Sequence, residues 1–220
     1  MNTALARFLS FILHPLLIPT FLFGIIFYGA PLAVYNLQAF NEQQSIDFFG
    51  LKFSFKAGLL LLVFFFTFLI PSYLLYVLYR LKIIKSLTME NLQDRRLPYL
   101  LIVILYTVFS YASFRYMKLL PEMTVIMASI TFSISCVAFI SLYWQISAHA
   151  TGMGGVIGAL LTLTLKMHLD TLLIPVLAVI ILAGFLMSAR LYLNAHTPRQ
   201  IMVGLVLGVV VCSTTLFVFI

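Results

Sequence analysis

Apolar residues in this chain run in blocks about as long as a membrane is thick, which constrains the fold before any motif is considered. Seven such blocks are visible, at roughly 8–28, 57–79, 98–116, 123–144, 150–168, 172–189 and 201–220. A helix needs about 20 apolar residues to cross the hydrocarbon core. Of the 220 residues, 63% are hydrophobic and 9% charged, and the mean hydropathy is +1.14. Soluble domains carry about 25% charged residues, so this chain has too few to cover a water-facing surface. Blocks rather than alternation argue against a transmembrane β-barrel. The expected fold is all-α, a polytopic transmembrane helical bundle of about six to seven spans. It forms one integral-membrane domain over residues 1–220.

The first block follows Arg7. It is longer than the apolar region of a signal peptide and no small-x-small cleavage site follows, so it reads as a retained helix. Pro15, Pro19, Pro71 and Pro175 fall inside blocks, where neighbouring helices satisfy the carbonyls a proline frees. Pro98, Pro121 and Pro198 read instead as helix entrances. Cys136 and Cys212 lie in apolar runs and read as core packing rather than a disulfide framework. The net charge of +7 is spread over too few basic residues to make a nucleic-acid footprint; membrane orientation or an anionic ligand accounts for it. Gly154 and Gly158 form one GxxxG pair, and Gly204 and Gly208 another. Such spacing lets helix backbones approach closely in lipid. It reads first as contact within the chain, and alternatively as a homodimer through the glycine-rich helices.

Polar and ionisable residues at membrane depth are costly, so their positions carry information. With alternating spans, the 80–97 loop, the 145–149 turn and the 190–200 loop come to one face. There lie Asp94-Arg95-Arg96-Leu97-Pro98, Ser147-Ala148-His149, and Ser188-Ala189-Arg190 followed by His196. Arginines with a serine hydroxyl bind phosphate through charge-assisted hydrogen bonds, and a helix starting near Ser147 adds N–H donors. Two histidines can divide nucleophile and general-acid roles. Two histidines, Asp94 and no cysteine fall short of a typical catalytic metal-ligand set, so no metal is expected.

At Ser147-Ala148-His149 and Ser188-Ala189-Arg190-Leu191-Tyr192-Leu193-Asn194-Ala195-His196 the chain resembles the type 2 phosphatidic acid phosphatase (PAP2) family. That family's third signature is Ser-Arg, five residues, His, three residues, Asp; its second is Pro-Ser-Gly-His; its first is Lys, six residues, Arg-Pro. Here Arg190 and His196 keep the five-residue spacing, and Arg95-Arg96-Leu97-Pro98 is similar to the end of the first signature. The resemblance covers roughly 85–210. It implies a cofactor-free membrane phosphatase of a lipid phosphate or diphosphate, multi-pass in a bacterial inner membrane, with substrate and membrane lipids as its partners. By the same resemblance His196 is the nucleophile that forms a phosphohistidine and His149 protonates the leaving alkoxide. Arg190, Ser147 and one of Arg95 or Arg96, Arg95 by choice, hold the phosphoryl oxygens.

The chain departs from the pattern at three places. Thr88 and Met89 stand where the first signature's lysine is expected, and Lys85 is the nearby alternative. Two whole spans separate the first motif from the second, an even insertion that keeps both on one face. Gln200 replaces the orienting aspartate, four residues after His196. Thr197-Pro198-Arg199-Gln200 also has the spacing of a capping box, so Gln200 reads either as a cap alone or as a cap that also orients His196. A rival reading, favoured by the missing lysine and aspartate, is an inactive relative that binds a lipid phosphate or membrane partner. A small transporter is a third.

Overall fold

The computed structural model describes residues 2–34, 37, 45–48, 51–87, 91–118 and 120–220. Thr88 and Met89, and with them the departure in the first signature, lie outside the described residues, as does much of the polar stretch 36–56. Eight helices are described: α1 (Thr3–Ile12), α2 (Ile18–Gly29), α3 (Phe55–Arg80), α4 (Leu92–Tyr116), α5 (Pro121–Ile140), α6 (Ala148–Met167), α7 (Leu173–Tyr192) and α8 (Pro198–Phe219). The last six are long and apolar enough to cross a membrane. A two-stranded antiparallel hairpin, β1 (Ser45–Phe48) and β2 (Leu51–Ser54), is the one non-helical element among the described residues.

Two sequence expectations change. The first apolar block is two helices, not one. Leu13 closes α1 by donating to Leu9, and the chain then turns through His14 and Pro15, where the carbonyl of His14 accepts from Leu17 at 2.8 Å. Pro98 is not a helix entrance: α4 begins at Leu92, so Pro98 sits inside its second turn. The good helix formers Leu92, Gln93, Arg95 and Arg96 extend the helix past the apolar block. Pro121 and Pro198 do occupy the first helical position.

Pro71 shows how the bundle absorbs a proline in mid-span. Its missing N–H leaves the carbonyl of Thr67 without an intrahelical partner, next to a π turn over Phe65–Leu69. Tyr106 on α4 donates its hydroxyl to that carbonyl at 2.9 Å, and both residues are buried.

Helix α6 is the axis of the bundle. In its most apolar stretch 72% of the residues are buried, against 28–39% in the other five long helices. Ser147 caps its start, and His168 ends it in the left-handed conformation (φ 54°). Its closest neighbour is α8, and the glycines explain the approach. A Cβ on Gly158 would lie 2.6 Å from the Val209 carbonyl and one on Gly204 2.8 Å from that of Ser147. Cβ atoms on Gly154 and Gly208 would overlap the carbonyls of Leu205 and Thr151. Both GxxxG pairs make close contact within the chain. Cys136 and Cys212 are both free, as expected for packing residues.

These contacts predict opposite outcomes for two alanine substitutions. Ala for Gly inside a helix stabilises by up to about 1 kcal/mol when nothing intervenes, and Gly184 has no atom within 4 Å of its missing Cβ. Gly184→Ala should leave the melting temperature in detergent unchanged or raised. Gly208→Ala must push α8 off α6, an overpacking that costs about 1–3 kcal/mol, and should lower it.

Candidate functional site

One end of the bundle gathers the starts of α4, α6 and α8 with the end of α7. Helix capping sets the local geometry. The Ser147 hydroxyl accepts from Ala150 N–H at 3.4 Å, and the Ser147 N–H donates to the Gln200 carbonyl at 3.4 Å, so the first turns of α6 and α8 are tied side by side. Asn194, left-handed at φ 51°, lets the chain reverse between α7 and α8 within a few residues. His196 emerges from that reversal immediately before the cap of α8.

That cap does two jobs. Thr197 Oγ1 accepts from Gln200 N–H, and Gln200 Oε1 accepts from Thr197 N–H at 3.0 Å, which completes the capping box. The same Oε1 lies 3.3 Å from His196 Nδ1. An amide oxygen accepts only, so Nδ1 carries the proton in this contact, and the Gln145 backbone carbonyl is a second acceptor on the ring. The two readings of Gln200 thus coincide in one atom. His196 is 8% exposed. Burial first, then Arg190 and Arg95, hold it down at about 4, below its usual 6.5, while the bonds to Gln200 and to the Gln145 backbone pull upward. The ring is neutral at pH 7.

The arginines separate. Arg95, 6% exposed, opens the buried stripe of α4 that continues through Tyr99, Ile102 and Tyr106. It bonds the Tyr99 side chain and acts on both His196 and Arg190. Arg96, about 100° further round the helix, is exposed and donates to the Leu142 carbonyl at 3.2 Å, away from the cluster. Sequence spacing left the two arginines open; the helical face separates them. Arg190 is half-buried at the end of α7, with its Nε buried and without a hydrogen-bond partner. Among the described residues the charged or ionisable groups acting on it are Arg95 and Tyr99, with no carboxylate.

His149, in the first turn of α6, donates from Nε2 to the Ser10 carbonyl of α1 at 3.1 Å. Arg190, His14 and His196 are close enough to act on its charge. His14 joins the site by a route that the motifs do not indicate. Its ring lies edge-on to that of His149, centroids 5.9 Å apart and planes at 77°. An ionisable residue inside an apolar block, just before a proline, was the available signal. Below these groups, an apolar cavity of about 60 Å³ is lined by Leu16, Tyr106, Ile134, Ala148, Thr151 and Cys212 among others. None of His149, Arg190, His196 or Arg95 lines it.

A sequence model of the PAP2 superfamily matches residues 130–219. No curated protein and no solved structure matches the chain. The match takes in Ser147, His149, Arg190, His196 and Gln200, and begins after Arg95 and Arg96, so the first signature lies outside it. With the six apolar helices, it supports a membrane protein of phosphatase type. Over residues 130–219, then, the chain is similar to the PAP2 superfamily.

Proposed function

We propose that the protein is a membrane-embedded phosphatase of a lipid phosphate or diphosphate, working through a phosphohistidine at His196 in a bacterial inner membrane. One observation carries the reading. A neutral His196, its Nδ1–H held by Gln200, faces the same space as Arg190, whose buried Nε lacks a partner. Two guanidiniums and a neutral imidazole suit a phosphoryl group. Arg190 and Arg95 hold its oxygens, and the Ser147 hydroxyl, whose oxygen already accepts the cap bond, has its hydrogen left to donate. Arg96 is not assigned to the phosphate. His149 takes up a proton at Nδ1 when the anionic substrate binds; His196 Nε2 then attacks phosphorus, the N–P bond forms as the P–O bond to the lipid alcohol breaks, and His149 gives that oxygen the Nδ1 proton. Water then attacks the phosphohistidine and loses its proton to His149; the N–P bond breaks and phosphate leaves.

A second reading, a lipid-phosphate binder without turnover, is favoured by Gln200. Its oxygen is shared between Thr197 N–H and His196, and an amide cannot balance an imidazolium as a carboxylate does.

Purified protein should release phosphate from phosphatidate or a polyprenyl diphosphate. His196→Ala should abolish release, and His149→Ala should lower it about 10²–10⁴-fold, the range for a lost general acid. Wild-type rates in His196→Ala would end the phosphatase reading.

Gln200 yields a second expectation. Protonated His196 cannot attack, so kcat/KM should fall as pH drops through about 4, the value at which His196 gains its proton. Gln200→Asp supplies a carboxylate that stabilises the imidazolium. It should move that acid limb upward and raise the rate, while still capping α8. Gln200→Ala should lower the rate and cost roughly 1 kcal/mol from the lost cap. A variant that melts lower yet turns over like wild type would reduce Gln200 to a cap.

A further inference from the structure

The break between α1 and α2 brings two acceptor and ring contacts onto one histidine. Ser10 lies in the last turn of α1, where carbonyls lack intrahelical partners. Its oxygen takes the Nε2 proton of His149 at 3.1 Å. A carbonyl only accepts, so neutral His149 is the Nε2–H tautomer and its free lone pair is on Nδ1. Four residues after Ser10, His14 Nδ1 accepts from Leu16 N–H at 3.3 Å, which fixes the ring of His14 within the turn. That fixed ring stands edge-on against His149, where an imidazole quadrupole is best served. His149 is thus held at Nε2 by α1 and in its ring plane by His14, as His196 is held at Nδ1 by Gln200.

We propose that residues 10–14 are a positioning element of the phosphatase site. In this role, the Ser10 carbonyl and the His14 ring hold His149 so that Nδ1 is the atom exchanging protons with the leaving oxygen. This rests on the phosphatase reading above. His14 touches neither substrate nor phosphoryl group in this scheme; it acts through His149. A general acid matters most when the leaving oxygen is a poor leaving group, so misplacing it should penalise alkyl phosphates and spare aryl ones.

Two full-length variants separate the ring from the turn. His14→Asn keeps a side-chain acceptor for Leu16 N–H, as Asx turns do, and removes the ring. His14→Phe keeps a ring and removes the acceptor. In histidine-labelled protein, ¹⁵N shifts of His149, assigned with His149→Gln, report which nitrogen is protonated. Wild type and His14→Phe should show the single Nε2–H state, and His14→Asn a mixture. On a phosphatidate, His14→Asn should lose at least about tenfold more kcat than on p-nitrophenyl phosphate, with KM little moved, and His14→Phe should recover most of it. An unchanged His149 tautomer in His14→Asn overturns the positioning, as does an equal loss on both substrates or a loss confined to His14→Phe. Wild-type protein that releases phosphate from neither substrate overturns the phosphatase reading instead, and the ¹⁵N shifts still decide the positioning.

Discussion

The close approach of α6 and α8 governs everything above it. Four glycines remove the side chains that would hold the two backbones apart, so the carbonyls of Ser147, Thr151, Leu205 and Val209 sit where Cβ atoms would otherwise be. In lipid no hydrophobic force draws helices together, and packing of this kind replaces it. The first turns of both helices are then adjacent, and a single backbone bond, Ser147 N–H to the Gln200 carbonyl, sets their register. His149 and His196 come from different helix starts, yet they reach one space because the helices beneath them touch.

The polar end of the bundle is electrostatically uphill. Arg95 and Arg190 act on each other and both act on His196, and desolvation adds to the cost. Burying charge is costly. An anion beside Arg190, whose buried Nε has no hydrogen-bond partner, would lower that cost. Burial first, and then the same two arginines, keep His196 unprotonated.

Much of this was legible in the sequence, for particular reasons. The six long helices are apolar over the length a bilayer demands, and composition alone finds them. Arg190 and His196 are readable because their spacing is a signature, and even spans bring Ser147 and His149 to the same face. The break after α1 was not foreseen, since its flanks are as apolar as any span; only His14-Pro15 marks it. Pro98 misled because proline is tolerated in an early turn of a membrane helix. Arg95 and Arg96 are adjacent in sequence and about 100° apart on a helix; which one faces inward depends on the stripe through Tyr99, Ile102 and Tyr106, a tertiary fact. Gln200 could not be resolved because both of its readings use one oxygen.

The bond between Tyr106 and Thr67 sets a direction on how this sequence can drift. While Pro71 is present, the buried Thr67 carbonyl has Tyr106 as its donor, and losing the tyrosine first would orphan it at about 1–3 kcal/mol. If position 71 regains an N–H first, the helix can serve that carbonyl itself, and the tyrosine hydroxyl becomes dispensable. The two substitutions are therefore not interchangeable in order. A lineage can shed the proline and then the tyrosine at little cost, whereas the reverse path crosses a destabilised intermediate, so the proline shields the tyrosine from replacement.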